Sequence, residues 1–276
     1  MGMVSRKFRT FAVNYLINEP AMTQKMITPI LKYYHLGEHV TAFSTTRQGG
    51  YSKGNYAAFN INRYCGDDEE DIRKNRQALC QLLGISDERL LMPHQVHLTK
   101  TAVIDERLDA DLEGVDALMT NVTGLCIGVS TADCIPILLY DPVQRAVCAI
   151  HAGWRGTVQR IVEQAVKKMT TAYGTQHKDI VAQIGPGISL DSFEVGDEVY
   201  EAFANEGFNM ETISKRYAKW HIDLPECNRR QLISVGVPSD HIFVSPVCTF
   251  KQSDSFFSAR RLGISSGRIF TAIILR

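Results

Sequence analysis

Residues 127–156 read IGVSTADCIPILLYDPVQRAVCAIHAGWRG, and how this stretch divides into strands decides the fold. Ile135 to Tyr140 and Ala146 to Ile150 are short apolar runs split by Asp141-Pro142-Val143-Gln144, whose Asp-Pro start signals a turn. Together they predict an antiparallel hairpin with a buried face. Cys134 falls just before the first strand and His151 just after the second, so the hairpin brings both side chains to one end of a sheet. Each residue alone has a bland reading. A lone Cys on an apolar strand is usually a small buried hydrophobe, and a lone His near a strand end is usually a satisfied polar group. Their company argues otherwise: Asp133 adjoins the cysteine, and Gly153-Trp154-Arg155-Gly156 follows the histidine with glycines, a ring and a cation where the chain leaves the strand.

Beyond Gly156, the apolar residues Val158, Ile161, Val162, Ala165, Val166 and Met169 recur at helical spacing, with Gly174 past the end and Thr157 as the expected N-cap. That puts Trp154 and Arg155 on a strand-to-helix turn with exposed amides, where an anion can bind. Further on, Val181 to Ile184, Ile242 to Val247 and Ile269 to Leu275 read as strands. Phe193 to Ala204 and Asp223 to Val235 read as helical, with Glu194 a candidate general acid or base.

Toward the N-terminus, Leu125 to Val129, Thr101 to Ile104 and Val40 to Ser44 read as strands, and the acidic run Asp67 to Asp71 caps a helix that closes at Gly84. The strand at Val40 runs into a Gly-rich loop carrying Arg47 and Lys53, whose amides can face an anion. In Met92-Pro93-His94-Gln95-Val96-His97, two histidines stand three apart; in an extended segment these point to opposite faces, so one of them at most reaches a given site. Interleaving without strict βαβ regularity predicts an α+β fold: a single domain of mixed β-sheets flanked by helices over residues 26–276, preceded by an N-terminal extension at 1–25.

The chain has 276 residues, 45% of them hydrophobic, enough to bury a large core. Thirty basic residues balance thirty acidic ones, which argues against broad binding to nucleic acid or an anionic membrane. No run of 18 apolar residues occurs, so no membrane span is expected. No small-residue cleavage site follows the basic start. Seven scattered cysteines, in a chain too large to need staples, fit free thiols in a reducing cytoplasm.

One Cys and two His with an open fourth position make a plausible catalytic zinc site, and His97, Cys134 and His151 fill it. Taken as a set, the motifs TTRQGGYSKGNYAAFNI, CGDDEEDIRKNR, HQVH, VDALMTN, STADCIPILLYDP, AIHAGWRGT, IGPGIS with FEVGDEV, and FFSARR with SGRIF span roughly residues 40 to 275. This set resembles the laccase-domain family of bacterial proteins, once labelled multicopper polyphenol oxidases. The resemblance implies a zinc-dependent purine nucleoside phosphorylase acting on adenosine, inosine, guanosine and methylthioadenosine, which also deaminates adenosine. It implies the same three ligands, and a fold like that of bacterial toxin cysteine deamidases. Two departures stand out: His94 precedes Gln95, and LDSFEV replaces the Cys-Tyr pair frequent before Glu-Val.

The oxidase label fails on counting, because a multicopper oxidase needs on the order of ten His ligands in HxH pairs plus a blue-copper centre. Here there are eight histidines and no such pair. Phosphorolysis requires an oriented phosphate, a stabilised oxocarbenium-like charge and a protonated leaving purine. Arg47 is the first candidate for phosphate, with Arg155 and Arg260 in reserve, and Asp133 joins Cys134 and Arg47 as the expected catalytic set. The substrates are then purine nucleosides and phosphate, and a monomer is expected. Two alternatives keep the same residues: a metal-free thiol hydrolase or deamidase with Cys134 as nucleophile and His151 as base, and a non-catalytic binding module.

Overall fold

The computed structural model describes residues 27–276; the expected extension at 1–25 lies outside the described residues. In chain order the first elements are β1 (Leu31–Tyr34), β2 (Val40–Thr45), α1 (Glu69–Leu83), β3 (Leu90–Leu91), β4 (Thr101–Val103), β5 (Ala117–Thr120), β6 (Cys126–Thr131), β7 (Ile135–Asp141) and β8 (Ala146–Ala152). There follow α2 (Trp154–Val158), α3 (Ile161–Tyr173), β9 (Val181–Ile184), β10 (Glu194–Val195), α4 (Asp197–Asn205), α5 (Met210–Ile213) and β11 (Ser214–Arg216). The last are β12 (Trp220–Ile222), α6 (Leu224–Ser234), β13 (Ile242–Val244), α7 (Ala259–Leu262) and β14 (Ile269–Leu275).

These elements build an α+β domain of mixed sheets. One sheet runs β1-β2-β14-β6-β3, the other β13-β9-β7-β8-β5-β4, and β10-β12-β11 form a small third sheet. The hairpin of β7 and β8 lies at the middle of the six-stranded sheet, with Pro136 opposite His151 and Ile135 opposite Ala152. Every residue of both strands is buried because both faces are covered. Ile135, Ile137, Leu139, Cys148 and Ile150 face α3 and α6, while the alternate residues Leu138, Tyr140, Val147 and Ala149 pack with Ile127 and Val129 of β6 and Ile273 of β14. On the far side of the five-stranded sheet, Phe43, Phe270 and Ile274 pack with Leu79 and Leu83 of α1. The layers are therefore helix, sheet, sheet, helix.

The expected helix after Gly156 is broken in two. Arg160 takes φ 59 between α2 and α3, and Thr157 caps neither helix: it is buried inside α2, where its carbonyl accepts from Gln231 Nε2 and its hydroxyl from Asn228 Nδ2. Contacts with α6 thus override the local spacing. The stretch from Phe193 starts with the two-residue strand β10, not with a helical turn, because Glu194 and Val195 pair with His221 and Trp220 of β12. Among the described residues no helix is long and apolar enough to cross a membrane.

Candidate metal centre

The site forms where the chain passes from one sheet to the other. β6 belongs to the five-stranded sheet and β7 to the six-stranded one, so Ala132-Asp133-Cys134 is the crossover between them. Asp133 turns that corner with φ 91, a conformation costly for a residue with a Cβ. Three bonds hold it there: its Oδ1 accepts from Thr249 Oγ1 at 2.6 Å, its Oδ2 from the Arg260 backbone N–H at 2.7 Å, and its carbonyl from the Ile188 N–H at 2.9 Å. Each carboxylate oxygen thus accepts one bond, and Asp133, expected in the catalytic set, anchors the corner and the start of α7 while lining the adjoining cavity.

His97 arrives from a loop, and its own backbone has φ 63, so the segment carrying the two histidines is not extended as expected. Gln95 pins this loop to the sheet: its Nε2 donates to the Ser130 carbonyl at 2.8 Å and its Oε1 accepts from the Ser130 N–H at 2.7 Å. The three following amides then converge on one carboxylate. Asp116 Oδ1 accepts from the His97 N–H at 3.0 Å, and its Oδ2 from the Val96 and Leu98 N–H groups at 3.3 and 2.9 Å. The same Oδ1 lies 2.7 Å from His151 Nδ1, and the Asp116 carbonyl accepts the His151 backbone N–H at 2.8 Å.

With Nδ1 of His151 engaged by Asp116, its Nε2 is the nitrogen left to meet Cys134. One donor atom each from His97, Cys134 and His151 lies within 4.8 Å of the others, and the two imidazole rings are 4.7 Å apart at 80°. Gly153 closes this cluster from the end of β8. A Cβ there would stand 3.0 Å from His97 Cδ2 and 3.2 Å from Cys134 Sγ, so the glycine is required by space, its φ being an ordinary −69°.

Charge runs through the cluster. Burial by itself pushes the Cys134 thiol up, but the His151 and His97 imidazoles outweigh it and bring it down to about 6. Burial works against a charge on His151, yet the Cys134 sulfur and the Asp116 carboxylate raise it to about 9. Asp116 lies below its ordinary value: burial opposes its charge, and the His151 imidazole and the amides of Leu98 and Val96 overcome that. These influences favour a thiolate beside an imidazolium, with a carboxylate behind it. Thiolate and imidazole are donors suited to a divalent transition metal, and the buried carboxylate is the usual support of a metal-bound histidine.

A cavity of about 640 Å³ opens over the cluster. His94 lines it as well, with its ring stacked on Tyr64 at 4.2 Å and its Nδ1 on exposed Glu113 at 2.6 Å, outside the three-residue group. Arg260 lines it too, above the Phe193 ring. Arg47 does not: its guanidinium donates to the carbonyls of Ala57 at 2.8 Å and Ser253 at 2.6 Å and lies over Phe257. This corrects its expected place at the phosphate. The glycines of its loop serve backbone contact, since a Cβ on Gly49 or Gly50 would come within 2.2 Å of the Thr28 or Ala58 carbonyl oxygen. Arg155 is also outside the cavity, stacked on Trp154 within α2, and Glu194 is half-buried and paired with Lys219 at 3.0 Å. Sequence reasoning passed over Asp116, which it met only as part of VDALMTN.

Over residues 41–276 the sequence matches the family described as multi-copper polyphenol oxidoreductase laccase. A protein of Bacteroides thetaiotaomicron named purine nucleoside phosphorylase is 49% identical over 248 residues, which cover 86% of this chain and 92% of that one. Adenosine deaminase RL5, from an unknown prokaryotic organism, is 47% identical over 247 residues, covering 86% of this chain and 94% of its own length. The crystal structure of YlmD from Geobacillus stearothermophilus superposes with a TM-score of 0.84 at 30% identity, covering 91% of this chain and 99% of that one.

Proposed function

The chain belongs to the multi-copper polyphenol oxidoreductase laccase family, and we propose that it is a zinc-dependent purine nucleoside phosphorylase with adenosine deaminase activity. The observation that carries this is the meeting of His97, Cys134 and His151 at the end of a cavity, with Asp116 behind them. The volume of about 640 Å³ suits a ligand of nucleoside size, since such sites run roughly 300–1,000 Å³. The names borne by the two relatives support phosphorolysis and deamination respectively. Adenosine, inosine, guanosine and methylthioadenosine are the proposed substrates.

The donor set fits zinc. A blue-copper centre would add a weak axial thioether to the same two imidazoles and thiolate, and among the described residues no methionine lines the cavity. When bound, zinc supplies Lewis acidity at the end of the cavity. Asp116 keeps the His151 proton on Nδ1 and so leaves Nε2 to the metal, while its bonds to three consecutive amides set the height of His97. Asp133 fixes the start of α7, which carries Arg260 to the cavity. Of Arg47, Arg155 and Arg260, only the last lines the cavity, and it is the one retained for phosphate. A monomer and a cytoplasmic setting belong to the same proposal, and seven free thiols support the second.

One observation favours a second reading. Cys134, His151 and Asp116 stand in sequence as thiolate, imidazolium and carboxylate, the arrangement a thiol hydrolase or deamidase uses without metal, which would also accord with a toxin-deamidase-like architecture. Metal analysis of protein purified without added zinc, paired with an inosine assay, separates the two. Stoichiometric zinc with phosphate-dependent release of hypoxanthine is the expected result. Metal-free protein that hydrolyses amides and dies on thiol alkylation would replace the phosphorylase by the hydrolase.

A further inference from the structure

The cavity over the cluster is lined by a second arginine. Arg268 stands at the entry to β14, one residue before Ile269, whose register partner on β6 is Thr131. Every hydrogen bond of its guanidinium goes to a neutral oxygen: Nη1 to the Ser266 carbonyl and hydroxyl and to the Gly267 carbonyl, Nη2 to the Ile264 carbonyl. Arg260 likewise donates through Nη2 to the Glu194 carbonyl alone. Neither forms an ion pair among the described residues. Asp133, the carboxylate on the cavity wall, is already bound by Thr249 and the Arg260 amide. Two guanidinium groups thus border one cavity, neither of them in an ion pair among the described residues.

Two further observations bear on Arg268. Cys65 also lines the cavity, and Asn60 joins it to Arg268, its Nδ2 donating to Cys65 Sγ at 3.4 Å and its Oδ1 accepting the Arg268 backbone N–H at 3.1 Å. Thr131, beside the Arg268 end of β14, is a lining residue of the cavity, and its buried hydroxyl has no partner in the fold. Buried hydroxyls are nearly always bonded, so an orphan on a cavity wall points to a ligand.

We propose that Arg268 and Thr131, with Arg260, hold inorganic phosphate beside the metal cluster. The assignment rests on the phosphorolysis reading above, and it gives Arg268 the role the sequence suggested for Arg47. Hydrogen phosphate gives one oxygen to C1′ of the ribose as the C1′–N9 bond breaks. The bonding pair leaves with the purine, and the proton lost by phosphate ends on the purine nitrogen, so the reaction needs no other co-reactant. A guanidinium suits this task, because it binds the oxyanion in a fork and stays protonated throughout.

The test varies phosphate and inosine separately with zinc-loaded full-length protein, comparing wild type, Arg268→Gln and Thr131→Val. Thr131→Val removes no hydrogen bond of the fold, and a melting temperature equal to that of wild type shows that its effect does not arise from folding. The phosphate KM should rise about tenfold or more in Arg268→Gln and several-fold in Thr131→Val, as loss of hydrogen bonds to a charged acceptor requires, while the inosine KM changes by less than about twofold. An unchanged phosphate KM in both variants overturns the assignment. So does a loss confined to competition by a nucleoside 5′-phosphate, which would make Arg268 a reader of nucleotides. If wild type releases no base from inosine, the functional reading fails by itself, and calorimetric titration with inorganic phosphate decides the subsite. Binding lost in Arg268→Gln supports the subsite, and equal binding refutes it.

Discussion

Replacing Asp116 by Asn removes one charge from a site where four donors depend on it, and the result can be worked out by placing the amide both ways. With the amide oxygen at Oδ1, His151 Nδ1 and the His97 N–H keep their acceptor, but the NH2 group faces the Val96 and Leu98 N–H groups, now 3.3 and 2.9 Å from a donor. With the amide reversed, the NH2 group faces the His97 N–H and His151 Nδ1, which drives the imidazole proton to Nε2, the nitrogen the metal needs. Either way two bonds to a buried carboxylate are lost, each about 1.5–3 kcal/mol, so the variant should be destabilised by about 3–6 kcal/mol. The first placement costs less and loosens the His97 loop, and loss of such support lowers metal affinity by about 10–100-fold. The assays are zinc competition against a chromophoric chelator and calorimetric melting. An Asp116→Asn protein that binds zinc like wild type and melts at the same temperature would refute the reasoning.

Three further outcomes follow from the same geometry. Gly153→Ala forces a methyl to 3.0 Å from His97 and 3.2 Å from Cys134, and overpacking of about 1–3 kcal/mol should appear mainly as weaker zinc binding; competition titration with wild-type affinity would defeat this. Metal affinity should fall in acid: the apoprotein holds its proton on His151 between about pH 6 and 9, so binding there releases one proton and weakens about tenfold per unit of pH lost, more steeply below about 6 where Cys134 takes a proton as well. A flat affinity between pH 6 and 8 in the chelator assay contradicts it. Chelation should leave a cooperatively folded protein, because protein hydrogen bonds rather than the ion pin all three ligand segments; at metal concentrations about 1,000 times Kd the ion adds only about 4 kcal/mol, and a chelated protein without a melting transition would count against this.

The hairpin that carries Cys134 and His151 was legible because two apolar runs joined by Asp-Pro leave few other pairings, and its register follows from the turn. Helix α1 was legible for a similar reason, as its N-cap Asp68 and left-handed Gly84 are both local signals. Asp116 was not, because its meaning depends on strand order. Only the pairing of β5 with β8 sets Asp116 beside His151, 35 residues away in sequence, and no local spacing encodes that neighbour. Arg47 misled for the opposite reason. A Gly-rich loop with a cation has the composition of an anion cradle, yet these glycines admit the carbonyls of Thr28 and Ala58, and the cation ties Ala57 to Ser253. Composition cannot tell a loop that grips a ligand from one that grips its own chain.

The geometry of the cluster explains why so few residues suffice to build it. A strand end, a crossover and a loop meet there, and each is held by bonds to backbone: His151 by pairing within β8, the crossover by the Ile188 amide, and the loop by Gln95 on β6. Asp133 and Asp116 complete the arrangement without adding donors of their own, one locking the corner that turns Cys134 toward the cavity, the other joining the remaining two ligands through a single carboxylate. Side chains held in this way stand together before an ion arrives, with their donor atoms within 4.8 Å of one another, so much of the ordering of the centre falls on the packing of the two sheets and not on metal binding.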